Sequence, residues 1–469
     1  MEEMIAAASM DGLYDLITKN KHLRYLDVNG MEYTALDLLG EELPLPNERG
    51  LAFLYLDNSV TAVSALVNFL KEKWVLALLS PKLDGAFKEQ LEALYCPAII
   101  YDHTRSDKSG YEKYKWQKAT LFVSRKPKPY LLHQDLKILL STSGSTGSPK
   151  FVKLSEKNLI QNAYAILDYL PIKATDVTPL NLPLYYSYGL SIFTTNAIAG
   201  AKLVCTNSDV MQKEFWNEWD RFQYTSLAGV PYIYEMLMRL GFLKKQYPSL
   251  RYLTQAGGKL NKNLLEQYAL YAAENGIDYY VMYGQTEATA RMAFLPPEKL
   301  LDKLGAIGKP IKNGTFHLDE ATGELLYAGP NVHGGYANGP KDLAHFEQPE
   351  YLRTGDLAMR DDEGFYYITG RMKRIVKLFG IRINLDEIEQ LLKNNFSQAN
   401  FICLGVEDKY IVVVCVKHEM ADEAIKEVLH KKVHIHPNVL KIYSINDVTL
   451  TANGKIDYNA TGELLGLPL

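Results

Sequence analysis

Apolar residues along this chain arrive in short unbroken blocks separated by stretches of helical period. Residues 51–56, Leu-Ala-Phe-Leu-Tyr-Leu, are apolar throughout, the pattern of a strand covered on both faces. Residues 58–71 then carry the spacing of a helix, and the cycle repeats with a block at 75–79, a helical stretch at 84–95 and a block at 98–101. Strands alternating with helices predict a parallel sheet with crossover helices, an α/β fold. Residues 102–118 mix Asp, His, Arg, Ser, Lys and Gly without a period and read as a surface connection. A run at 136–140, broken only by Lys137, predicts a further strand. From Ser155, a helix cap, Leu159, Ile160, Ala163, Ile166, Leu167 and Leu170 recur at helical spacing. Strand blocks follow at 202–205, 224–228, 250–255 and 279–282. The chain then restarts as a small α/β unit, with helices at 386–393 and 421–431 and strands at 400–406 and 411–416.

Composition narrows the class. A chain of 469 residues can hold two or three domains with large cores. A net charge of -4 carries no basic excess for nucleic acid, which removes that partner class. No apolar run approaches the roughly 20 residues of a membrane helix, and Met1-Glu2-Glu3-Met4-Ile5 is acidic where a signal peptide is basic. The expectation is a cytoplasmic protein. Cys96, Cys205, Cys403 and Cys415 are scattered in mostly apolar contexts and read as free thiols. His430, His434 and His436 have no acid or Cys at ligand spacing, so they read as a solvated basic turn.

The stretch that carries chemistry is Ser141-Thr142-Ser143-Gly144-Ser145-Thr146-Gly147-Ser148-Pro149-Lys150. It lies between the strand at 136–140 and the helix after Ser155. Gly144 and Gly147 let the backbone bend so that amides point inward, and the hydroxyls of Thr142, Ser143, Ser145 and Thr146 with the Lys150 ammonium add donors. Such a loop suits a polyphosphate. It is not a Walker loop, because Pro149 and Phe151 flank the lysine where that pattern needs Gly and Ser or Thr.

The decapeptide resembles the phosphate loop of the adenylate-forming (AMP-binding) superfamily, which comprises acyl-CoA synthetases, peptide-synthetase adenylation domains and luciferases. It departs only at Phe151, where Gly is usual. Further segments match in order. Ala256-Gly257-Gly258 resembles the adenine-side loop. Tyr283-Gly284-Gln285-Thr286-Glu287 matches the family's Tyr-Gly-x-Thr-Glu fully. The resemblance implies adenine stacking on Tyr283, an unobstructed backbone at Gly284, an α-phosphate bond from Thr286 and a Mg²⁺ ligand in Glu287. Segments 305–310, 323–326 and 334–336 imply a small β subdomain. Asp356, after the Thr354-Gly355 turn, is where the family holds the ribose hydroxyls, with Arg371 reaching the same sugar. The implied boundary falls there, giving an N-terminal AMP- and acyl-binding domain over 1–370 and a mobile C-terminal domain over 371–469. Lys373 is the implied hinge. Lys377 and Gly380 lie on the loop that swings in for thioester formation, Gly380 leaving room for a pantetheine arm, and Lys455 in Asn453-Gly454-Lys455 is the adenylation lysine.

Tyr185, Tyr186 and Tyr188 stand where the family borders its acyl pocket, and they imply a partly polar one. Amino-acid-activating members place Asp there. Between Lys173 and Asp209 this chain has only Asp176 as an acid, which disfavours an α-amino acid. The implied reaction is attack of a carboxylate on the α-phosphorus of ATP, followed by acyl transfer from the adenylate to a thiol. Lys150, Lys455 and Mg²⁺ would meet the charge. The thiol is that of coenzyme A or of an acyl or peptidyl carrier protein's phosphopantetheine. A catalytically silent nucleotide-binding regulator is the remaining alternative.

Overall fold

The computed structural model describes residues 12–39, 49–71, 73–116, 119–141, 150–378, 381–396, 398–406, 409–417, 421–451 and 456–467. It is a mixed α/β protein. Two compact units form, one from residues 1–315 with 328–352 and one from 316–327 with 353–469. The division differs from a cut at 370/371 because the strands Leu352–Arg360 and Tyr366–Arg371 share an antiparallel sheet with Thr315–Leu318 and Glu324–Ala328. That sheet runs straight into the C-terminal segment, and the Arg371 amide donates to Asp386 Oδ2 at 3.0 Å.

The first unit is built on an eight-stranded sheet among the described residues. Its centre is four parallel strands, Leu136–Ser141, Val75–Leu79, Leu51–Tyr55 and Ile99–Asp102. Every residue of Leu51–Tyr55 and Val75–Leu79 is buried, as the unbroken apolar blocks require. The crossover helices Val60–Lys71 and Gly85–Tyr95 follow the expected stretches, and Asp84 caps the second through the Ala86 and Phe87 amides. A second sheet sets Ser226–Gly229, Tyr252–Gln255 and Asp278–Tyr283 parallel, with Ala293–Leu295 and Lys309–Pro310 antiparallel at its edge. Among the described residues no helix is long and apolar enough to cross a membrane.

Two expectations need correction, and two strands appear that the pattern did not announce. The supposed connection at 102–118 contains a strand, Tyr111–Trp116, paired with Ala119–Ser124. Its period was hidden because an edge strand exposes most of its side chains. Nearby Asp102 is fully buried, with Lys88 Nζ at 2.8 Å, so this charge is partly core rather than surface. The phosphate loop does not lead directly into a helix. Phe151–Ser155 forms a strand antiparallel to Leu136–Ser141, and only then does Ser155 open the helix Glu156–Leu167 through a capping box with Asn158. Phe151 is a core ring, 5.4 Å from Tyr95 between centroids, which accounts for an aromatic where Gly is usual. The segments at 305–336 do not make one subdomain. Lys309–Pro310, Glu324–Ala328 and Tyr336–Ala337 each complete a different sheet. Finally, Leu440–Ile445 is a strand parallel to Tyr410–Val416 that the pattern did not announce.

The four cysteines are free, three of them buried. Among the described residues no group of three or more His, Cys, Asp or Glu side chains is placed to hold a metal ion without help from a ligand.

Candidate active site

In open α/β sheets ligands bind beyond the carboxyl ends of the strands. At that end of Asp278–Tyr283 the chain turns sharply. A Cβ at Gly284 would lie 1.6 Å from the Ala290 carbonyl oxygen, so only glycine lets the backbone double back here. The glycine therefore serves the turn itself. Residues Thr286–Ala288 form a 3₁₀ turn, after which Thr289 sits at φ 66°, ψ -45°, a strained conformation for a β-branched residue. Buried Asn331 holds it there. Its carbonyl accepts from Thr289 Oγ1 at 2.6 Å, and its amide donates to the carbonyls of Ala288 and Arg291 at 2.9 and 2.8 Å. Glu287 and Arg291 are thus presented from a rigid loop.

Around Glu287 the first unit assembles a polar cluster. Tyr336 Oη donates to Glu287 Oε1 at 3.1 Å, and the Lys150 ammonium lies 3.4 Å from the centroid of the same tyrosine ring. The His333 amide donates to the Glu287 carbonyl at 2.8 Å, and its Nδ1 accepts from the Gly335 amide at 3.0 Å. Burial holds the His333 imidazole below its ordinary pKa, and burial together with Glu287 pushes the Tyr336 phenol up. Thr286 Oγ1 lies 3.3 Å from Ser187 Oγ at the start of the helix Ser187–Ala199. Lys150, Thr286 and Glu287, far apart in sequence, are therefore tied into one region. Residues 142–149, with the expected phosphate-loop positions, lie outside the described residues, but Ser141 pairs with Phe151 at the base of that loop.

The expected adenine-side and acyl-side residues sit beside one another. Gly257 has φ 83°, and a Cβ there would lie 2.7 Å from Tyr186 Oη. The Gly258 carbonyl accepts from Gln255 Nε2 at 2.8 Å. Tyr186 and Tyr188 are buried with ring centroids 6.3 Å apart, and Tyr185 is half-buried. Tyr188 is committed to the core. Its hydroxyl meets the Thr254 carbonyl and Oγ1 at 3.0 and 2.9 Å, and the Arg291 guanidinium stacks 3.8 Å from its ring centroid. Tyr188, Arg291 and Thr254 border a small pocket beside that helix.

In the second unit, Asp356 and Arg371 are opposed in register, and Arg371 Nε lies 3.0 Å from Asp356 Oδ1. The Thr354-Gly355 turn is held by Thr354 Oγ1 on the Leu325 carbonyl at 2.6 Å and by the Gly355 amide on Glu324 at 2.9 Å. The basic run that follows separates into three environments. Arg371 pairs with Asp356, Lys373 is exposed on a 3₁₀ turn, and Arg374 is buried. The Arg374 guanidinium binds Asp386, Glu389 and the Cys403 carbonyl, and lies 3.8 Å from the Tyr458 ring centroid. Lys377 belongs to the strand Ile375–Leu378, but its side chain, Gly380 and Lys455 lie outside what is described. Leu450 and Ile456, on either side of the undescribed residues 452–455, form an antiparallel bridge.

Sequence reasoning missed the parts played by Tyr336, His333, Asn331, Arg291 and Arg374. Arg291 left the clearest signal, a lone charge in Ala288-Thr289-Ala290-Arg291-Met292-Ala293 directly after a ligand motif. The others left no local mark.

A polar cluster at the carboxyl end of a parallel α/β sheet stands where open sheets bind ligands, and a family model names the class. The model of the AMP-binding enzymes matches residues 54–337, and the chain belongs to that family. An oxalate–CoA ligase of Arabidopsis thaliana is 27% identical over 340 residues, covering 68% of this chain and 65% of that protein. A 2-succinylbenzoate–CoA ligase of Bacillus cereus is 30% identical over 283 residues, covering 58% of this chain and 57% of its own length. The matched stretch thus spans less than two thirds of these curated relatives. Among solved structures, the o-succinylbenzoate CoA synthetase of Bacillus subtilis with its acyl-adenylate intermediate has a TM-score of 0.75 at 21% identity, covering 96% of this chain and 97% of that one. The same synthetase with ATP and a magnesium ion gives 0.72 at 19%, covering 96% and 98%. Both likenesses establish the fold.

Proposed function

We propose that this protein joins a small carboxylic acid to the thiol of coenzyme A, through an acyl-adenylate and with release of AMP and pyrophosphate. The observation that carries the reading is the cluster of Glu287, Tyr336, Lys150 and Thr286 at the end of Asp278–Tyr283. It sits in a chain of the AMP-binding family whose relatives are named CoA ligases.

The chemistry asks for cations. A carboxylate is a poor electrophile and must attack another anion, so charge has to be met on the protein side. Lys150 faces the phosphates from the end of its loop. Glu287, a hard oxygen donor whose carboxylate is oriented by Tyr336, fits a magnesium ion, and that ion supplies screening of the phosphate charge. Thr286 bonds the α-phosphate, Tyr283 and the Gly257-Gly258 backbone take the adenine, and Asp356 with Arg371 takes the ribose. No general base is required, because the nucleophile is ionised at neutral pH. Lys455 meets the developing charge between carboxylate and α-phosphate, then withdraws. Lys377 and Gly380 serve the thiol step, the exchange turning on Lys373.

The test is carboxylate-dependent ATP–pyrophosphate exchange with pooled fatty, aromatic and amino acids and no thiol present. Exchange with an acid that carries no ammonium is expected, and none with the amino-acid pool. Exchange with none of these pools nor with pooled dicarboxylic acids, despite ATP binding, overturns adenylation and leaves a nucleotide-binding regulator. Supplying coenzyme A or a phosphopantetheinylated carrier then separates the two thiols, with coenzyme A expected to be acylated. Lys455→Ala is expected to slow exchange at least tenfold while a supplied acyl-adenylate still passes to thiol. Loss of both steps together removes the assigned role.

A further inference from the structure

The Arg291 side chain is an anomaly in its surroundings. The residue is 3% exposed. Its guanidinium lies flat on the Tyr188 ring at 3.8 Å, and Nε donates to Met282 Sδ at 3.3 Å. Among the described residues no carboxylate forms an ion pair with it. A buried guanidinium without a counter-charge is expensive, and stacking on one ring offsets only part of that penalty. By contrast, the other deeply buried guanidinium, Arg374, has two carboxylates. Buried Lys88 likewise has Asp102 at 2.8 Å, whereas Arg291 has no such acid among the described residues.

What Arg291 faces is a pocket. Its walls include Ile166, Leu170, Ile192 and Met282, and its polar groups include Ser191 and Thr195, with no Asp or Glu in the lining. Tyr188 lines the pocket, and its ring neighbour Tyr186 rests against Gly257. Arg291 itself is carried on the loop that presents Glu287, held by the same Asn331. Apolar walls, a few hydroxyls and one uncompensated cation describe a receptor for a short hydrocarbon body ending in an anion.

We infer that Arg291 is a specificity residue that binds a second carboxylate at the far end of the acid, so that the substrate is a dicarboxylic acid. The inference rests on the adenylation reading and deepens it. The absence of lining acids removes any partner for a substrate ammonium, and Arg291 supplies the missing charge only when the substrate brings an anion. With a monocarboxylic acid of equal length, the guanidinium stays buried and unpaired, and the methyl end meets a charge.

The experiment uses the full chain and two matched series, the linear dicarboxylic acids from succinate to adipate and the monocarboxylic acids from butyrate to hexanoate. Binding is read by calorimetry and activation by ATP–pyrophosphate exchange, with Arg291→Met and Arg291→Lys alongside. The wild type is expected to favour a diacid over its matched monoacid by about tenfold to a hundredfold in kcat/KM, the worth of one charged hydrogen-bonded contact. Arg291→Met is expected to abolish that preference or reverse it, with Arg291→Lys between. Diacid binding that depends on Arg291 without exchange keeps the subsite and removes adenylation. Exchange that treats mono- and diacids alike, or favours monoacids, overturns the subsite and keeps adenylation. An equal loss for both series in folded Arg291→Met also overturns it, because the residue then acts on the fold or on the reacting carboxylate. If Arg291→Met does not fold, the wild-type ratio decides alone.

Discussion

Glu287→Gln is expected to lower ATP–pyrophosphate exchange by about 10² to 10³, the range for loss of one preorganised electrostatic group, and to leave the fold intact. The geometry makes this a clean removal of charge. Glutamine keeps an oxygen where Tyr336 Oη donates at 3.1 Å, and the backbone carbonyl keeps its bond from the His333 amide at 2.8 Å. What goes is the negative charge that a hard divalent cation requires. The magnesium concentration for half-maximal exchange should therefore rise, and the thermal midpoint should stay where it was. Unchanged magnesium dependence would take Glu287 out of the metal's company. Tyr336→Phe is the companion. It keeps the ring beneath Lys150 and removes only the hydroxyl on Glu287, so a loss of about tenfold is expected, the size of one hydrogen bond to a charged group.

Arg374→Ala is expected to cost about 3–5 kcal/mol of stability, the penalty for stripping one partner from a buried ion pair. Burial alone would lower the Arg374 pKa, but Glu389 and Asp386 reverse that, and the group is held above its ordinary value. Burial lifts the Glu389 carboxyl above its ordinary value against the pull of Arg374. Without the guanidinium, Glu389 rises further above its unfolded value. A group raised in this way contributes stability below its unfolded pKa and loses it as pH climbs through the folded one. The deficit relative to wild type should therefore be larger at pH 7 than at pH 5. Denaturant melts of the full chain at both values measure it. A loss under about 1 kcal/mol at pH 7, typical of a surface pair, would mean that the guanidinium is solvated. Lys373→Ala, one residue away and exposed, is expected to leave stability unchanged.

These neighbours mark where local reading ends. Arg371, Lys373 and Arg374 look alike in a basic run, yet one meets Asp356, one meets water and one anchors Asp386 and Glu389. Their fates depend on strand register and on a helix that begins at Leu385. The same holds at Tyr336, which reads as a turn residue after two glycines. Pairing of Tyr336–Ala337 with Phe151–Ser155 puts that short strand at the sheet edge, and Tyr336 bonds Glu287 and stacks with Lys150.

Other features were open to inspection. Wholly apolar blocks at 51–55 and 75–79 became fully buried parallel strands because a strand covered on both faces has no room for a polar side chain. Ser155 capped its helix through a side-chain oxygen that needs no distant partner. The ordered motifs through Tyr283-Gly284-Gln285-Thr286-Glu287 marked the AMP-binding family, since a turn and its donors lie within a few residues. Backbone period, caps and contiguous ligand loops are short-range properties, and short-range order is written along the chain. The strand Phe151–Ser155, the edge strand Tyr111–Trp116, the tie from Tyr336 to Glu287 and the uncompensated Arg291 arose only on folding. Each depends on what a distant segment places opposite it, and pairing and desolvation exist only once those segments meet.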